Sequence, residues 1–288
     1  MKLDWNRKTK ALPIACKEGD VPYLYFPLLE ETGLVVHGFS TKLGGVSEGC
    51  YATMNLRVNS EDERANVVEN YRRIGAAIGF DVENVVLSDQ THTTNIRVVT
   101  EADAGKGLFV PKDYEDIDGL ITNVPGLTLA TFYADCVPLY FVDPVHGAIG
   151  LSHSGWRGTV NQMGACTVAK MQETFGSDPA DLLVCIGPSI CQDCYEVSED
   201  VAEAFQSAFP QWQSEIVKPG AREGKYQLDL WKTNERILLE AGIRPEHLAV
   251  TNICTKCNSD LLYSHRVMGS QRGNLAAFLG LKSSKQYM

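Results

Sequence analysis

The sequence lacks long apolar runs, repeats and interdomain linkers. No stretch approaches the roughly 18 consecutive apolar residues that a membrane-spanning helix requires. The first residues, MKLDWNRKTKALPIAC, include lysines but no apolar core behind them, so we expect no secretory leader. No repeat of fixed period, low-complexity tract or linker rich in Pro, Gly or Ser divides the chain. We therefore expect a single domain over residues 1–288 and no contact with a membrane.

Basic side chains are outnumbered by acidic ones. The chain has 26 Lys and Arg against 36 Asp and Glu, a formal net charge of −10, which argues against binding to nucleic acid or to an anionic membrane surface. A charged small substrate would therefore need its own local cluster of cations. The 44% of hydrophobic and 22% of charged residues are typical of a globular protein that buries a full core.

The nine cysteines do not form an obvious disulfide framework. Their odd number, their scatter along the chain and the lack of a leader favour free thiols in a reducing cytoplasm. Two C-x-x-C pairs, Cys191 with Cys194 and Cys254 with Cys257, are the usual ingredients of a structural zinc site. The 59 residues between the pairs exceed the common spacing, so the pattern favours reduced thiols, and a second metal site stays open as the alternative.

Helix and strand signals alternate irregularly along the chain. An N-cap serine with a glutamate three positions on, in SEDE, predicts a helix from Ser60 to near Gly79. Further helices are expected over residues 160–175, after Ser198, and over residues 230–241. Ten runs rich in β-branched and aromatic residues predict strands: LVVHGF, VVL, IRVVT, GLIT, LTLATFY, PLYFV, AIGLS, LLVCIG, LAVTNI and NLAAFL. This order predicts an α+β fold, layered α/β with mixed sheets.

Three potential metal ligands lie at the ends of predicted strands. They are His92 in QTHT, Cys136 in ADCVP and His153 in LSHSGWRGTV. Zinc binds imidazole nitrogen and thiolate sulfur, and a catalytic zinc site keeps three protein ligands and one open position. The spacings of 44 and 17 residues are too long for a zinc finger but suit a site assembled by the finished fold. On spacing alone, two hydrogen-bonded histidines and a buried thiol remain the alternative.

Seven segments, in order between about His37 and Leu279, resemble the laccase-domain family, long labelled multicopper polyphenol oxidases and described as zinc-dependent purine nucleoside phosphorylases. The segments are HGFSTKLGGVSEGCYATMNL, DQTH, TFYADCVPLYFV, LSHSGWRGT, IGPSICQDCYEV, CTKC and LLYSHR. The resemblance implies one zinc ion per chain, held by His92, Cys136 and His153. It also implies small-molecule substrates: phosphate with adenosine, inosine, guanosine or 5′-methylthioadenosine, and adenosine for a further deaminase activity.

The older oxidase label does not agree with the residues. True multicopper oxidases hold several copper ions with His-x-His pairs, and this sequence contains no such pair. Copper outranks zinc in intrinsic affinity for nitrogen and sulfur ligands, so adventitious copper is compatible with the site. We do not expect polyphenol oxidation to be the physiological activity.

Two catalytic residues are expected, Asp135 and the adjacent Cys136. Zinc-bound water of lowered pKa can attack C6 of adenine once a neighbouring acid or base moves the protons. Asp135 suits that role, and equally the role of orienting the metal ligand beside it. Phosphorolysis needs cations or backbone donors around phosphate.

Candidates for that phosphate site are Ser40 and Lys42, next to a pair of glycines in STKLGGVS, together with Arg157 and Arg266. Arg157 either offers a planar fork to the anion or locks the turn by bonding carbonyls. The neighbouring Trp156 either stacks on a purine or closes the core. The C-terminal motif SHRVMGSQRGN departs from the family because it lacks a second arginine after SHR and has Asn274 where an arginine often stands.

Two other functions stay open. Some relatives are described as peptidoglycan-editing factors, and zinc-activated water hydrolyses amides as readily as it deaminates. A thiol- or metal-sensing binding protein is the alternative from a different class, and it would change its assembly or partners on thiol oxidation.

Overall fold

The computed structural model describes residues 3–283. In that range the strands are β1 (Ala15–Lys17), β2 (Tyr23–Tyr25), β3 (Val35–Ser40), β4 (Val85–Leu87), β5 (Ile96–Val98), β6 (Gly119–Thr122), β7 (Thr128–Tyr133), β8 (Val137–Asp143), β9 (Ala148–Ser154), β10 (Leu183–Ile186), β11 (Glu196–Ser198), β12 (Val217–Pro219), β13 (Lys225–Leu228), β14 (Leu248–Val250) and β15 (Leu275–Leu281). The α-helices in the same range are α1 (Pro27–Glu30), α2 (Arg64–Ile78), α3 (Trp156–Val160), α4 (Met163–Phe175), α5 (Glu199–Ala208), α6 (Gln213–Ile216), α7 (Leu230–Glu240) and α8 (His265–Met268). None of these helices is long and apolar enough to span a bilayer.

The strands form two six-stranded mixed sheets and a small third sheet. The first sheet has the order β1-β2-β3-β15-β7-β4, and the second has the order β14-β10-β8-β9-β6-β5. The pairs β4/β7, β5/β6 and β10/β14 are parallel, whereas the central pairs β3/β15, β7/β15 and β8/β9 are antiparallel. Strands β11, β13 and β12 form the third sheet.

The two large sheets pack face to face between outer helices. In β15, Leu275, Ala277 and Leu279 belong to the core between the sheets, while Ala276 and Phe278 join the core under α2. This alternation follows from the two-residue period of a strand that is buried on both faces. The second sheet shows the same division, because β8 contributes to the central core and to a third core beneath α4, α5 and α7. The result is a four-layer arrangement of helix, sheet, sheet and helix.

Each of the ten predicted strand segments overlaps a strand, and the DPVHG turn joins β8 to β9 in an antiparallel hairpin. Short β-branched and aromatic runs were therefore sufficient to locate the central strands. The strands without a prediction, β1, β2, β11, β12 and β13, are three or four residues long and include the edge of the first sheet and the whole third sheet.

The helix boundaries required two corrections. The helix predicted from Ser60 begins only at Arg64, because the Ser60 hydroxyl donates to Arg57 O in the preceding loop (2.8 Å) and does not cap the helix. The helix predicted over residues 160–175 begins only at Met163, as α4, because Gln162 before it has a left-handed backbone (φ 59°); the short helix α3, which ends at Val160, was not predicted. The helices predicted after Ser198 and over residues 230–241 match α5 and α7 to within about one residue.

Candidate metal centre and active site

Three separate segments bring His92, Cys136 and His153 together. Cys136 lies in the short connection by which the chain passes from β7 in the first sheet to β8 in the second. His153 is the penultimate residue of β9, and His92 lies in the loop between β4 and β5. One ligand atom of each of the three side chains lies within 4.8 Å of the others. The predicted convergence of these three side chains is therefore present in the fold.

The donor set and its surroundings fit a zinc ion. Two imidazoles and one thiolate are ligands that zinc prefers, at about 2.0–2.3 Å, so small side-chain movements would suffice to bind one ion. A Cβ atom added to Gly155 would lie 2.8 Å from His92 Cδ2 and 3.1 Å from Cys136 Sγ. Any residue other than glycine at position 155 would therefore displace His92 or Cys136. His153 is buried, Cys136 is half-buried and His92 is exposed, which leaves one side of the group accessible.

Asp118, which the sequence analysis did not identify, organises two of the ligands. Its Oδ1 lies 2.7 Å from His153 Nδ1 and also accepts the backbone N–H of His92 (3.1 Å). Its Oδ2 accepts the N–H groups of Thr91 (3.1 Å) and Thr93 (2.8 Å). A carboxylate on Nδ1 leaves Nε2 of the imidazole free to bind a metal. These bonds also hold His92 in a left-handed conformation (φ 70°) that non-glycine residues rarely adopt.

The electrostatics of the group favour a thiolate. Burial acts to raise the pKa of Cys136, but the charge of His153 and the hydrogen bonds of His153 and His92 outweigh burial and lower the pKa to about 6. Burial likewise opposes a charge on His153, yet the Cys136 sulfur and the Asp118 carboxylate raise its pKa to about 9. A deprotonated sulfur is the form that binds zinc.

Two cavities meet at the group. A cavity of about 380 Å³ is lined by all three candidate ligands and by the cations Arg57, Lys112 and Arg272, among other residues. A second cavity of about 340 Å³ also touches His92 and Cys136, and its walls include the aromatic side chains Trp156 and Tyr195 and the cations Arg266 and Arg272. An ion held by the three ligands would therefore face spaces large enough for a small organic substrate.

The structure does not bring the first two predicted phosphate residues to these cavities. Ser40 is fully buried, where its Oγ accepts the N–H of Ala276 (3.0 Å), and Lys42 Nζ donates to Ser259 O (2.7 Å). Neither is among the described residues that line the two cavities. The adjacent glycines serve close packing, because a Cβ on Gly45 would lie 2.0 Å from Thr53 O.

Of the other two predicted phosphate residues, only Arg266 reaches the second cavity. Arg266 lines it and donates from Nη1 to Glu196 O (2.8 Å). Arg157 is exposed, its guanidinium lies 4.4 Å from the ring centroid of Trp156, and it is not among the described residues that line the two cavities. Trp156 packs against the core beneath the helices, which is one of its two predicted roles, and it also lines the cavity.

Asp135 is held by two protein donors. Its Oδ1 accepts the Thr255 hydroxyl (2.6 Å), and its Oδ2 accepts the backbone N–H of Arg266 (2.7 Å). Asp135 also has a left-handed backbone, with φ 92°, directly before Cys136. These contacts connect the segment of the cysteine to the loop of Thr255 and to Arg266, which lines the second cavity, and they favour the orienting role over acid–base catalysis.

Arg272 is a second residue that the sequence analysis did not select. It lines both cavities, and its Nη1 donates to Gly273 O (3.0 Å) and to Asn274 Oδ1. Its buried Nε–H has no hydrogen-bond partner among residues 3–283. Burial lowers the pKa of this guanidinium. A half-buried cation with an unused donor beside two cavities is suited to binding an anionic substrate group.

The layered α+β fold thus places two imidazoles and a thiolate, a group that could hold a metal ion, between two cavities. A family model described as multi-copper polyphenol oxidoreductase laccase matches residues 36–282. The chain therefore belongs to this family, as the resemblance in the sequence indicated, and the predicted fold class is confirmed.

Similar proteins of known name include enzymes that act on nucleosides. The chain is 37% identical over 254 residues to the purine nucleoside phosphorylase YlmD of Bacillus subtilis. The aligned region covers 87% of this chain and 90% of that protein. It is 31% identical over 242 residues to the adenosine deaminase RL5 of an unknown prokaryotic organism, covering 83% and 91%. Among solved structures, the hypothetical protein YfiH of Bacillus licheniformis matches with a TM-score of 0.88 at 33% identity, over 94% of this chain and 100% of that one.

Proposed function

We propose that this protein is a cytoplasmic, zinc-dependent purine nucleoside phosphorylase with a secondary adenosine deaminase activity. Adenosine, inosine, guanosine and 5′-methylthioadenosine are the proposed nucleosides, with phosphate as the second substrate. The observation that carries the proposal is the convergence of His92, Cys136 and His153 to within 4.8 Å at the junction of two cavities. The names of the nucleoside-processing relatives support the substrate class.

His92, Cys136 and His153 would hold the zinc ion. When bound there, zinc supplies Lewis acidity to an oxygen or nitrogen atom of a substrate or of water. The carboxylate of Asp118 keeps His153 oriented through its Nδ1 and keeps the His92 backbone in place. Asp135 has both oxygens occupied by protein donors and is assigned a positioning role.

The two cavities suit the two substrates differently. The second cavity has Trp156, Tyr195 and Leu230 in its walls, and these side chains suit the flat, largely apolar face of a purine. Arg272 stands where the cavities meet, and its unpaired Nε–H can donate to a phosphate oxygen. Arg272 and Arg266 are therefore the proposed phosphate ligands, and they replace Ser40, Lys42 and Arg157, which line neither cavity. This arrangement would hold phosphate and nucleoside on adjoining walls, the requirement for attack at C1′.

The test combines metal content with phosphate-dependent release of purine base from adenosine, measured on the same preparations. Cys136→Ala is expected to lose both the zinc bound at this site and turnover, because two imidazoles alone bind zinc weakly. Cys50→Ala is the matched control, since Cys50 is an exposed free thiol far from the three ligands in sequence. It should retain both zinc and turnover. Turnover in zinc-free protein, or release of an amino acid from a wall precursor with no release of base, would contradict the proposal.

A further inference from the structure

The two C-x-x-C pairs, 59 residues apart in sequence, lie side by side in the fold. One sulfur atom from each of Cys191, Cys194, Cys254 and Cys257 lies within 4.8 Å of the others. Cys194 Sγ and Cys257 Sγ are 3.5 Å apart, and all four are free thiols. The group is separate from the three ligands of the candidate active site, with which it shares no residue.

Sheet topology explains why pairs so distant in sequence meet. Strands β10 and β14 are parallel neighbours in the second sheet. Cys191 follows the end of β10 by five residues, and Cys254 follows the end of β14 by four. Parallel neighbours end at the same edge of a sheet, so the loops that follow them must lie close together. A parallel bridge between Ser189 and Cys254 then fixes the register of the two loops.

The spacing of the sulfurs corresponds to a single ion. Four thiolates at about 2.3 Å from one tetrahedral zinc ion are about 3.8 Å from one another. The observed separations of up to 4.8 Å need only small side-chain movements to reach this arrangement. A cluster of several iron atoms is larger than one ion and would require the sulfurs to stand further apart.

The surroundings suit a buried group of thiolates. Cys191 and Cys254 are buried, and the backbone N–H of Cys191 donates to Cys254 Sγ (3.3 Å). Lys8 places a cation beside the first pair, where its Nζ lies 3.3 Å from Asp193 Oδ2. An N–H···S hydrogen bond and a neighbouring cation both offset the negative charge of a site with four thiolates.

We propose that Cys191, Cys194, Cys254 and Cys257 bind a second zinc ion with a structural role. All four coordination positions are taken by protein, as in structural rather than catalytic zinc sites. The ion would fasten together two loops, of which the first lines the second cavity and the second contacts Asp135 in the wall of that cavity. Ile190 and Tyr195 of the first loop line that cavity, and Thr255 of the second loop donates to Asp135. The proposal does not depend on which nucleoside the enzyme converts.

The first experiment measures zinc by mass spectrometry in protein purified without chelators. Wild type and the control Cys50→Ser are expected to contain two zinc ions per chain. Cys136→Ala and Cys257→Ser should each contain one, since each removes a ligand from a different site. A single zinc ion in wild type with none in Cys136→Ala would overturn the proposal. Iron in place of zinc at the four sulfurs would also overturn it.

A second measurement covers the case in which Cys257→Ser does not fold. Zinc-edge X-ray absorption on Cys136→Ala, which leaves the four cysteines intact, should show four sulfur ligands at about 2.3 Å and no nitrogen ligand. Nitrogen ligands alone would place the remaining ion at His92 and His153 and contradict the proposal. Intact-mass analysis that finds two disulfides among the four cysteines would do the same. Because neither readout uses turnover, loss of the proposed activity would leave this test unaffected.

Discussion

Replacement of Asp118 by asparagine should weaken zinc binding without removing a metal ligand. The side chain keeps its shape but loses its charge, and an NH2 group replaces one carboxylate oxygen. Because NH2 cannot accept a hydrogen bond, the side chain loses either the contact with His153 Nδ1 or those with the N–H groups of Thr91 and Thr93. Asp118 is fully buried and is 2.7 Å from His153 Nδ1, so solvent cannot substitute for the lost acceptor. Loss of a partner that orients a ligating histidine typically costs about 10–100-fold in metal affinity, which is about 1.4–2.7 kcal/mol.

The assay is competition between the protein and a chromogenic chelator for zinc, with Asp118→Asn compared with wild type. Asp116→Asn is the matched control, because Asp116 lies in the same segment, is exposed and accepts the Thr91 hydroxyl (2.7 Å) but does not contact His153. It should bind zinc as wild type does. If Asp118→Asn binds zinc within twofold of wild type, our account of how His153 is oriented is wrong.

Three further predictions concern close packing, the phosphate site and a buried histidine. Gly155→Ala should fold but retain less zinc, because the new methyl group displaces His92 and Cys136; metal content and thermal unfolding measure this, and full zinc occupancy would contradict it. Arg272→Ala should raise the KM for phosphate at least tenfold with a smaller effect on the KM for nucleoside, measured by steady-state kinetics; equal changes in both would contradict the assigned role. Burial lowers the pKa of His37 to about 4, and the hydrogen bond that its Nε2 accepts from the Phe26 N–H (2.9 Å) also requires this nitrogen to be unprotonated. As the pH falls, the unfolded chain therefore binds a proton at His37 before the folded chain does. This difference should lower the free energy of unfolding by about 1.4 kcal/mol per pH unit as the pH falls from 6.5 to 4. His37→Gln should reduce that slope by one proton in urea unfolding, and an unchanged slope would contradict the assignment.

The central strands could be predicted from sequence because each is buried on both faces. In such a strand almost every residue is apolar or β-branched, so LTLATFY and PLYFV are recognisable without knowledge of their partners. The strands that were missed are β1 and β2 at one edge of the first sheet and the three strands of the third sheet, and their three or four residues each carry too little pattern. The start of α2 was misplaced because a local capping signal at Ser60 competes with a loop hydrogen bond that only the folded chain supplies.

The metal ligands and their supporting residues differ in how visible they are in the sequence. His92, Cys136 and His153 are of types that bind metal, and they lie within motifs that resemble a family. Asp118 has no such signal, since it lies 26 residues from His92 and 35 from His153 and takes its role from the pairing of β6 with β9. Arg272 likewise reaches the cavities only through the fold.

The two cysteine pairs are also brought together by the topology of the sheet and not by their spacing in the sequence. The gap between the two C-x-x-C motifs argued against a shared site, because known zinc motifs are compact in sequence. The parallel pairing of β10 with β14 removes that objection, since it returns the chain to the same edge of the sheet. Neither composition nor spacing indicates which strands will be parallel neighbours.

The central claim is that His92, Cys136 and His153 hold one zinc ion between the two cavities. The most direct measurement is anomalous diffraction from crystals of the active enzyme, collected on both sides of the zinc absorption edge. The account predicts a zinc peak at about 2.0–2.3 Å from a nitrogen of each histidine and from Cys136 Sγ. Crystals of fully active protein with no zinc peak at that position would contradict it.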